Sequence, residues 1–226
     1  MRLKWDEAGK HFYETGVKQC VLFVQDSDGE YPLGVAWSGV TGITESPSGA
    51  EANKQYADNE VYLNVRAVEE FGGTIEAFQY PDEFGVCNGE DTLTTGVVIG
   101  GQGRKAFGLA YLTQLGNDTD GNNYGEKLHL IYGATCSPSE MSFETINDSV
   151  EAPTMSWEFE CVPVEVTGKN KVARLTINSK ATGMTEGKWK AICDAVFGTD
   201  GAGSVEGTDP YLPLPNEVKS IIDNAT

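Results

Sequence analysis

Apolar residues recur at every second position over much of the chain. Met155, Trp157, Phe159 and Cys161 alternate with Ser156, Glu158 and Glu160, which predicts a strand with one buried and one wet face. Phe107, Leu109 and Tyr111 share a face, with the small residues Ala106, Gly108 and Ala110 opposite, a pattern suited to close packing within a sheet. Leu128, Leu130 and Tyr132 make another strand; Ala173, Leu175 and Ile177 oppose Arg174 and Thr176, and Thr74 to Phe78 is a weaker case. Val21 to Val24 leads into Asp26-Ser27-Asp28-Gly29, a strand entering a hairpin turn. The period changes clearly once. Trp189, Ile192, Cys193, Val196 and Phe197 form one stripe at helical spacing, which predicts a helix over 185–198 capped by Thr185 and stopped by Gly198. A short helix is expected from Pro215 through Asn216 to Ile222. The fold class is therefore mainly β, with one amphipathic helix against the side of a sheet.

Two polar stretches interrupt the strands. Thr44 to Asn59 has no clear period and few apolar residues, and Gly116 to Gly125 carries Asn117-Asp118-Thr119-Asp120-Gly121-Asn122-Asn123, which is turn chemistry throughout. Both are expected to be long loops, and loops of this length are commonly functional.

The chain has 226 residues, enough for a single domain over 1–226 with a substantial core. No stretch approaches a membrane span, and no signal peptide is expected, so the chain is expected to be made in a cytoplasm. Thirty-four acids face 16 bases, a formal net charge of -18, the wrong sign for gripping phosphate. The charge is uneven. No Lys or Arg falls between Arg66 and Arg104, where Glu69, Glu70, Glu76, Asp82, Glu83, Glu90 and Asp91 lie. Lys169, Lys171, Arg174, Lys180, Lys188 and Lys190 stand against Glu186 alone between Val166 and Ile192. Oppositely charged surfaces on one chain are usable in self-association.

Candidate chemistry is sparse. Cys20, Cys87, Cys136, Cys161 and Cys193 form no CxxC pair and read as buried thiols. Gly101-Gln102-Gly103 runs into a strand instead of opening a helix, so it is a turn and not a dinucleotide fingerprint. Asp118-Thr119-Asp120-Gly121-Asn122 has the alternating oxygens of a calcium loop but lacks the spaced bidentate Glu. Glu158 and Glu160 share a strand face and read as its wet side before a glycosidase pair. His129 and Cys136 show no dyad signature. No catalytic residue, metal or cofactor is expected.

Taken in order, several segments resemble the major tail (tail tube) proteins of siphophages. They are Trp5-Asp6-Glu7 with Tyr13-Glu14-Thr15-Gly16-Val17, Thr44 to Glu51, Tyr56-Ala57-Asp58-Asn59, Tyr80-Pro81-Asp82-Glu83-Phe84 and Leu115-Gly116-Asn117-Asp118-Thr119. Leu128 to Ala134, Phe197 to Gly201 and Leu212 to Val218 complete the series. The resemblance implies an antiparallel β-sandwich or partial barrel of the tail tube type with a flanking helix. It implies a structural virion protein of the phage tail, assembled in the host cytoplasm. Hexameric rings would stack into a tube around the tape measure protein, between tail tip and tail terminator proteins. Double-stranded DNA would pass through the lumen without specific binding. On that reading Glu45, Ser46, Pro47, Ser48, Glu51, Tyr56, Asp58 and Asn59 belong to an inter-ring loop ordered only on assembly. Glu69, Glu70 and Glu76 would line an acidic lumen, and Lys169, Lys171, Arg174, Lys188 and Lys190 would form a basic inter-subunit surface. Residues 199–226 would be a C-terminal extension, with Gly201 to Tyr211 as an insertion on the tube exterior. The alternative from another class is a carbohydrate- or cell-surface-binding β-sandwich module offering Trp5, Trp37, Trp157 or Trp189, although Trp157 and Trp189 sit on apolar faces.

Overall fold

Strand prevails wherever the period of two was legible, and in several places where it was not. The computed structural model describes residues 2–49, 51–143, 145, 152–201 and 206–226. Its first half holds β1 (Tyr13–Val24), β2 (Gly34–Ala36), β3 (Val40–Glu45), β4 (Ser48–Gly49), β5 (Ala52–Ala57), β6 (Glu60–Arg66) and β7 (Glu69–Ala77). A short helix α1 (Gly85–Asn88) precedes β8 (Asp91–Thr94) and β9 (Val97–Ile99). Then come β10 (Phe107–Asn117), β11 (Gly121–Cys136), β12 (Met155–Cys161), β13 (Arg174–Asn178), α2 (Glu186–Phe197) and α3 (Pro215–Asn224).

One antiparallel sheet runs β2-β1-β10-β11-β12-β7-β3, with β13 also on β11 and β4 also on β7. The sixteen-residue β11 shares one edge between two partners: β13 pairs with Lys127–Ile131 and β12 with Ala134–Cys136. Gly133 stands between them at φ 62, and a Cβ there would meet the Val162 carbonyl oxygen at 2.3 Å. Only glycine accepts both conditions. The sheet bends at this position, so that β12-β7-β3 packs over β1-β10-β11. The side chains enclosed between the halves include Leu22, Trp37, Ile75, Phe84, Phe107, Leu109, Ile131, Trp157 and Phe159. Trp37, Tyr80, Phe84 and Trp157 meet there at ring distances of 4.6–5.8 Å. β1 and β3 approach one another without pairing, which makes the sheet a partial barrel.

The opposite face of the β1-β10-β11-β13 half carries the helices. Val21, Phe23, Ala110, Leu112, Leu128, Leu130 and Ile177 pack against Ile192 and Val196 of α2 and Val218 of α3. β10 and β11 are therefore covered on both sides, and their buried residues run continuously instead of alternating. The small face of β10 serves this contact rather than packing within the sheet: a Cβ on Gly108 would meet Leu212 Cδ2 at 2.3 Å. Thr185 caps α2 by accepting from Lys188 N at 3.2 Å, as its sequence implies. Residues 206–226 are an integral layer rather than an appendage: Tyr132 donates to the Pro213 carbonyl at 2.9 Å and Leu212 N to the Tyr31 carbonyl at 3.1 Å. Of the expected exterior insertion, residues 202–205 lie outside the described residues. Among those described, no helix is long and apolar enough to cross a membrane.

Candidate assembly interface

The stretch expected to be an unordered loop is a hairpin. Asp58 and Asn59 sit at φ 54 and 66, the left-handed pair that a tight two-residue turn requires, and these residue types tolerate it best after glycine. β5 and β6 pair on either side. The polar sequence of β5 hid this, because the alternating partner, Val61-Tyr62-Leu63-Asn64-Val65, begins after Asn59. Gln55 stands opposite Leu63 but Tyr56 opposite Val61, so the register shifts between them and Val61 falls on the Tyr56 face, while Leu63 and Val65 fall on the other with Gln55 and Asn53. Every hairpin residue is exposed, Tyr62 to 71%. A two-stranded ribbon with apolar side chains on both faces in water is marginal alone and gains most by being covered. The expected loop is thus corrected residue by residue. Glu45 ends β3, Ser46 N donates to the Gly72 carbonyl, and Pro47 leads into Ser48 of β4. The Glu51 carbonyl accepts from Ala67 N, Tyr56 lies in β5, and Asp58 and Asn59 are the turn. Ala50 lies outside the described residues.

A second hairpin, β8–β9, had no clear signal apart from β-branched residues flanking Thr95-Gly96. Gly96 takes φ 76, and Leu93, Val97 and Val98 face solvent.

Glu45 does not belong to an outward contact. Its carboxylate accepts from Tyr111 OH at 2.9 Å, pairs with Arg174 and lies 3.5 Å from His129 Nδ1. His129 stacks on Tyr111 with ring centroids 4.6 Å apart, and its Nε2 faces Glu14 Oε1 at 3.0 Å, where Lys127 also pairs. The cluster ties β3 to β10, β11 and β13 across the mouth of the partial barrel, one short strand (β4) before the β5–β6 hairpin. Burial alone would raise the Glu45 pKa, but contacts with His129, Tyr111 and Arg174 outweigh it and hold the carboxyl at about 2.

The expected acidic trio is split by the pleat. Glu70 and Glu76 point outward from β7, while Glu69 alternates to the other face with Phe71 and Ile75. Ser156, opposite Glu76, carries the outward face onto β12, where Glu158 and Glu160 join it, opposite Thr74 and Gly72. The outer face of β12-β7-β3, which α2 and α3 leave uncovered, thus presents four exposed carboxylates: two of the expected trio, Glu70 and Glu76, joined by Glu158 and Glu160.

The expected basic surface is not one surface. Arg174 faces the Glu45 cluster and lies over the Phe71 ring, whereas Lys188 and Lys190 ride on α2, beyond the opposite face of the sheet. Lys171 pairs with Glu165 at 3.1 Å, Lys190 pairs with Asp194, and Lys169 stands in the turn between Val164 and Val172. Sequence proximity grouped residues that the strand-to-helix crossover separates.

The polar turn between β10 and β11 holds the N-terminal segment. Asp118 accepts from Gly9 N at 3.1 Å and His11 N at 3.2 Å, and Asn117 Oδ1 accepts from Thr119 N at 3.0 Å. Of the oxygens that suggested a calcium loop, those of Asp118 accept from these amides, Asp120 Oδ2 accepts from Asn117 Nδ2 at 3.0 Å and Asn122 Oδ1 from Tyr13 OH at 2.7 Å. Asp118→Ala should abolish hydrogen-exchange protection of the Gly9 and His11 amides and leave the melting temperature unchanged; retained protection would show that other contacts hold the segment. Burial pushes all five thiols up to about 12, which leaves none ionised near neutral pH. Trp37 and Trp157 are core residues.

No protein-family model and no curated protein matches this sequence.

Proposed function

We propose that this chain is a structural subunit that self-assembles, in the manner of phage tail tube proteins, into stacked hexameric rings around a channel that conducts double-stranded DNA. The tape measure, tail tip and tail terminator proteins would be its partners in the virion tail. The observation that carries this reading is the β5–β6 hairpin, an exposed ribbon whose apolar side chains nothing among the described residues covers. The partial barrel flanked by a helix layer accords with the tail tube type of fold. The uncovered acidic face (Glu70, Glu76, Glu158 and Glu160) suits a channel wall past which phosphate slides without sticking.

Sedimentation and negative-stain microscopy across rising protein concentration test the reading. Rings with a central hole, or hollow tubes, are expected. A protein that stays monomeric into the millimolar range would refute self-assembly and make glycan binding, through Trp5 or the hairpin tyrosines, the next function to assay.

A further inference from the structure

The few bases of this chain are largely committed within it. Lys18 pairs with Glu126, Lys127 with Glu14, Arg174 with Glu45, Lys190 with Asp194 and Lys219 with Asp223. Arg104 is turned onto the Cys136 and Ser137 carbonyls, and Lys180 lies over the Tyr124 ring. Bases that pair with no carboxylate among the described residues, such as Lys54, Lys105 and Lys188, are scattered over different elements. The formal net charge of -18 is therefore carried by surface acids. Glu70 and Glu76 on β7 and Glu158 and Glu160 on β12 are all exposed, and the ion pairs of the described residues include none of them. Their register makes Glu70 a diagonal neighbour of Glu160, and Glu76 of Glu158. The β5–β6 hairpin is no counterweight, with Glu51, Asp58 and Glu60 against Lys54 and Arg66.

We propose that self-assembly of this chain is gated by dissolved cations: copies close on one another only when cations offset the carboxylates of the outer β12-β7-β3 faces that they bring together. A neighbouring copy offers those carboxylates no basic surface, because its own bases are already paired. Converging faces crowd like charge, and the reach of that repulsion shrinks from about 30 Å at about 10 mM salt to about 10 Å at about 0.1 M. The sign of the salt dependence follows. An interface held by ion pairs loosens as salt rises, whereas one that crowds like charges tightens. Among the described residues no group of three His, Cys, Asp or Glu side chains is placed to hold a metal ion. The cations therefore form a mobile layer, in which valence matters more than chemical identity. Where cations are scarce the chain stays dispersed, although its hairpin exposes apolar side chains. This inference rests on the self-assembly reading and adds to it what regulates assembly.

Sedimentation velocity of the full-length protein in sodium chloride, from about 10 mM to about 0.3 M, tests it. The protein concentration needed for association should fall about tenfold over that range. Magnesium chloride should match the effect at about a tenth of the sodium chloride concentration. The variant E70Q/E76Q/E158Q/E160Q should associate in low salt about tenfold more readily than the parent and respond less to added salt. A second variant, D28N/D82N/E83Q/D209N, removes as many charges elsewhere and should gain no more than about threefold. All these positions are exposed, so the monomer's melting temperature serves as the folding control. Association that weakens or holds steady as salt rises would overturn the gate and leave self-assembly standing. Equal gains in the two variants would do the same, because the acidic faces would then not converge. A parent that associates at no salt concentration overturns both.

Discussion

Val61→Thr, Leu63→Thr and Val65→Thr together should lower self-association about a hundredfold, corresponding to about 3 kcal/mol of apolar burial lost at the interface. Threonine keeps the β-branching that favours strand, so the hairpin should persist and its strand signature in NMR chemical shifts should be unchanged. The three side chains are already about half exposed in the monomer, which is why monomer stability should hardly move. A lone loss of thermal stability, with rings forming at the parent's concentration, would mean that these side chains pack against their own chain. The effect is large because water is removed from three aliphatic side chains at once.

Glu45→Gln should destabilise the folded monomer by about 2 kcal/mol and remove much of its acid sensitivity. The carboxyl of Glu45 titrates at about 2 in the folded chain against its ordinary 4.5. The folded state therefore binds fewer protons than the unfolded state between these values. Its contribution is complete above pH 4.5 and drains away as pH falls towards 2. Linkage puts the full contribution near 3 kcal/mol, and screening on a side chain still 16% exposed brings it nearer 2. Glu14, also lowered by Lys127, Thr113 and His129 against the opposing effect of burial, acts in the same direction and keeps some acid sensitivity in the variant. Urea unfolding of parent and variant at pH 7 and pH 3 measures both effects. Equal stability losses at the two pH values would show that the Glu45 charge contributes nothing and that shape alone matters. Because Glu45 sits at the root of the β5–β6 hairpin, the same substitution should loosen the hairpin's orientation and weaken assembly at neutral pH.

The half-buried strands were readable from their periodicity, and β12 is the clearest case: Trp157 and Phe159 point inward and Glu158 and Glu160 outward, as alternation requires. α2 was equally legible, because one apolar stripe, a Thr cap and a terminal glycine agree. β10 was legible as a strand but not in its surroundings. Its small residues suggest close packing within the sheet, and only the path of Leu212 and Pro213 turns that face into a second buried contact. The hairpins failed for another reason. Neither β5 nor β8 is buried on any face, so selection for a core leaves no period in them; their signal lies in the Asp58-Asn59 and Thr95-Gly96 turns.

The sequence by itself determined that the chain is mainly β, where α2 begins and ends, that the acidic charge concentrates between Arg66 and Arg104, and that Trp157 is core. These are local properties, set by side-chain period, capping and composition. Only the tertiary structure decided that Glu69 parts company with Glu70 and Glu76, and that Arg174 and Lys190 lie on opposite sides of the sheet. It alone brought Glu45 to Tyr111, His129 and Arg174. Each of these depends on which strands become neighbours. Pairing is fixed by the bend at Gly133 and by burial summed over residues more than a hundred positions apart, and that sum leaves no mark in a window of neighbouring residues.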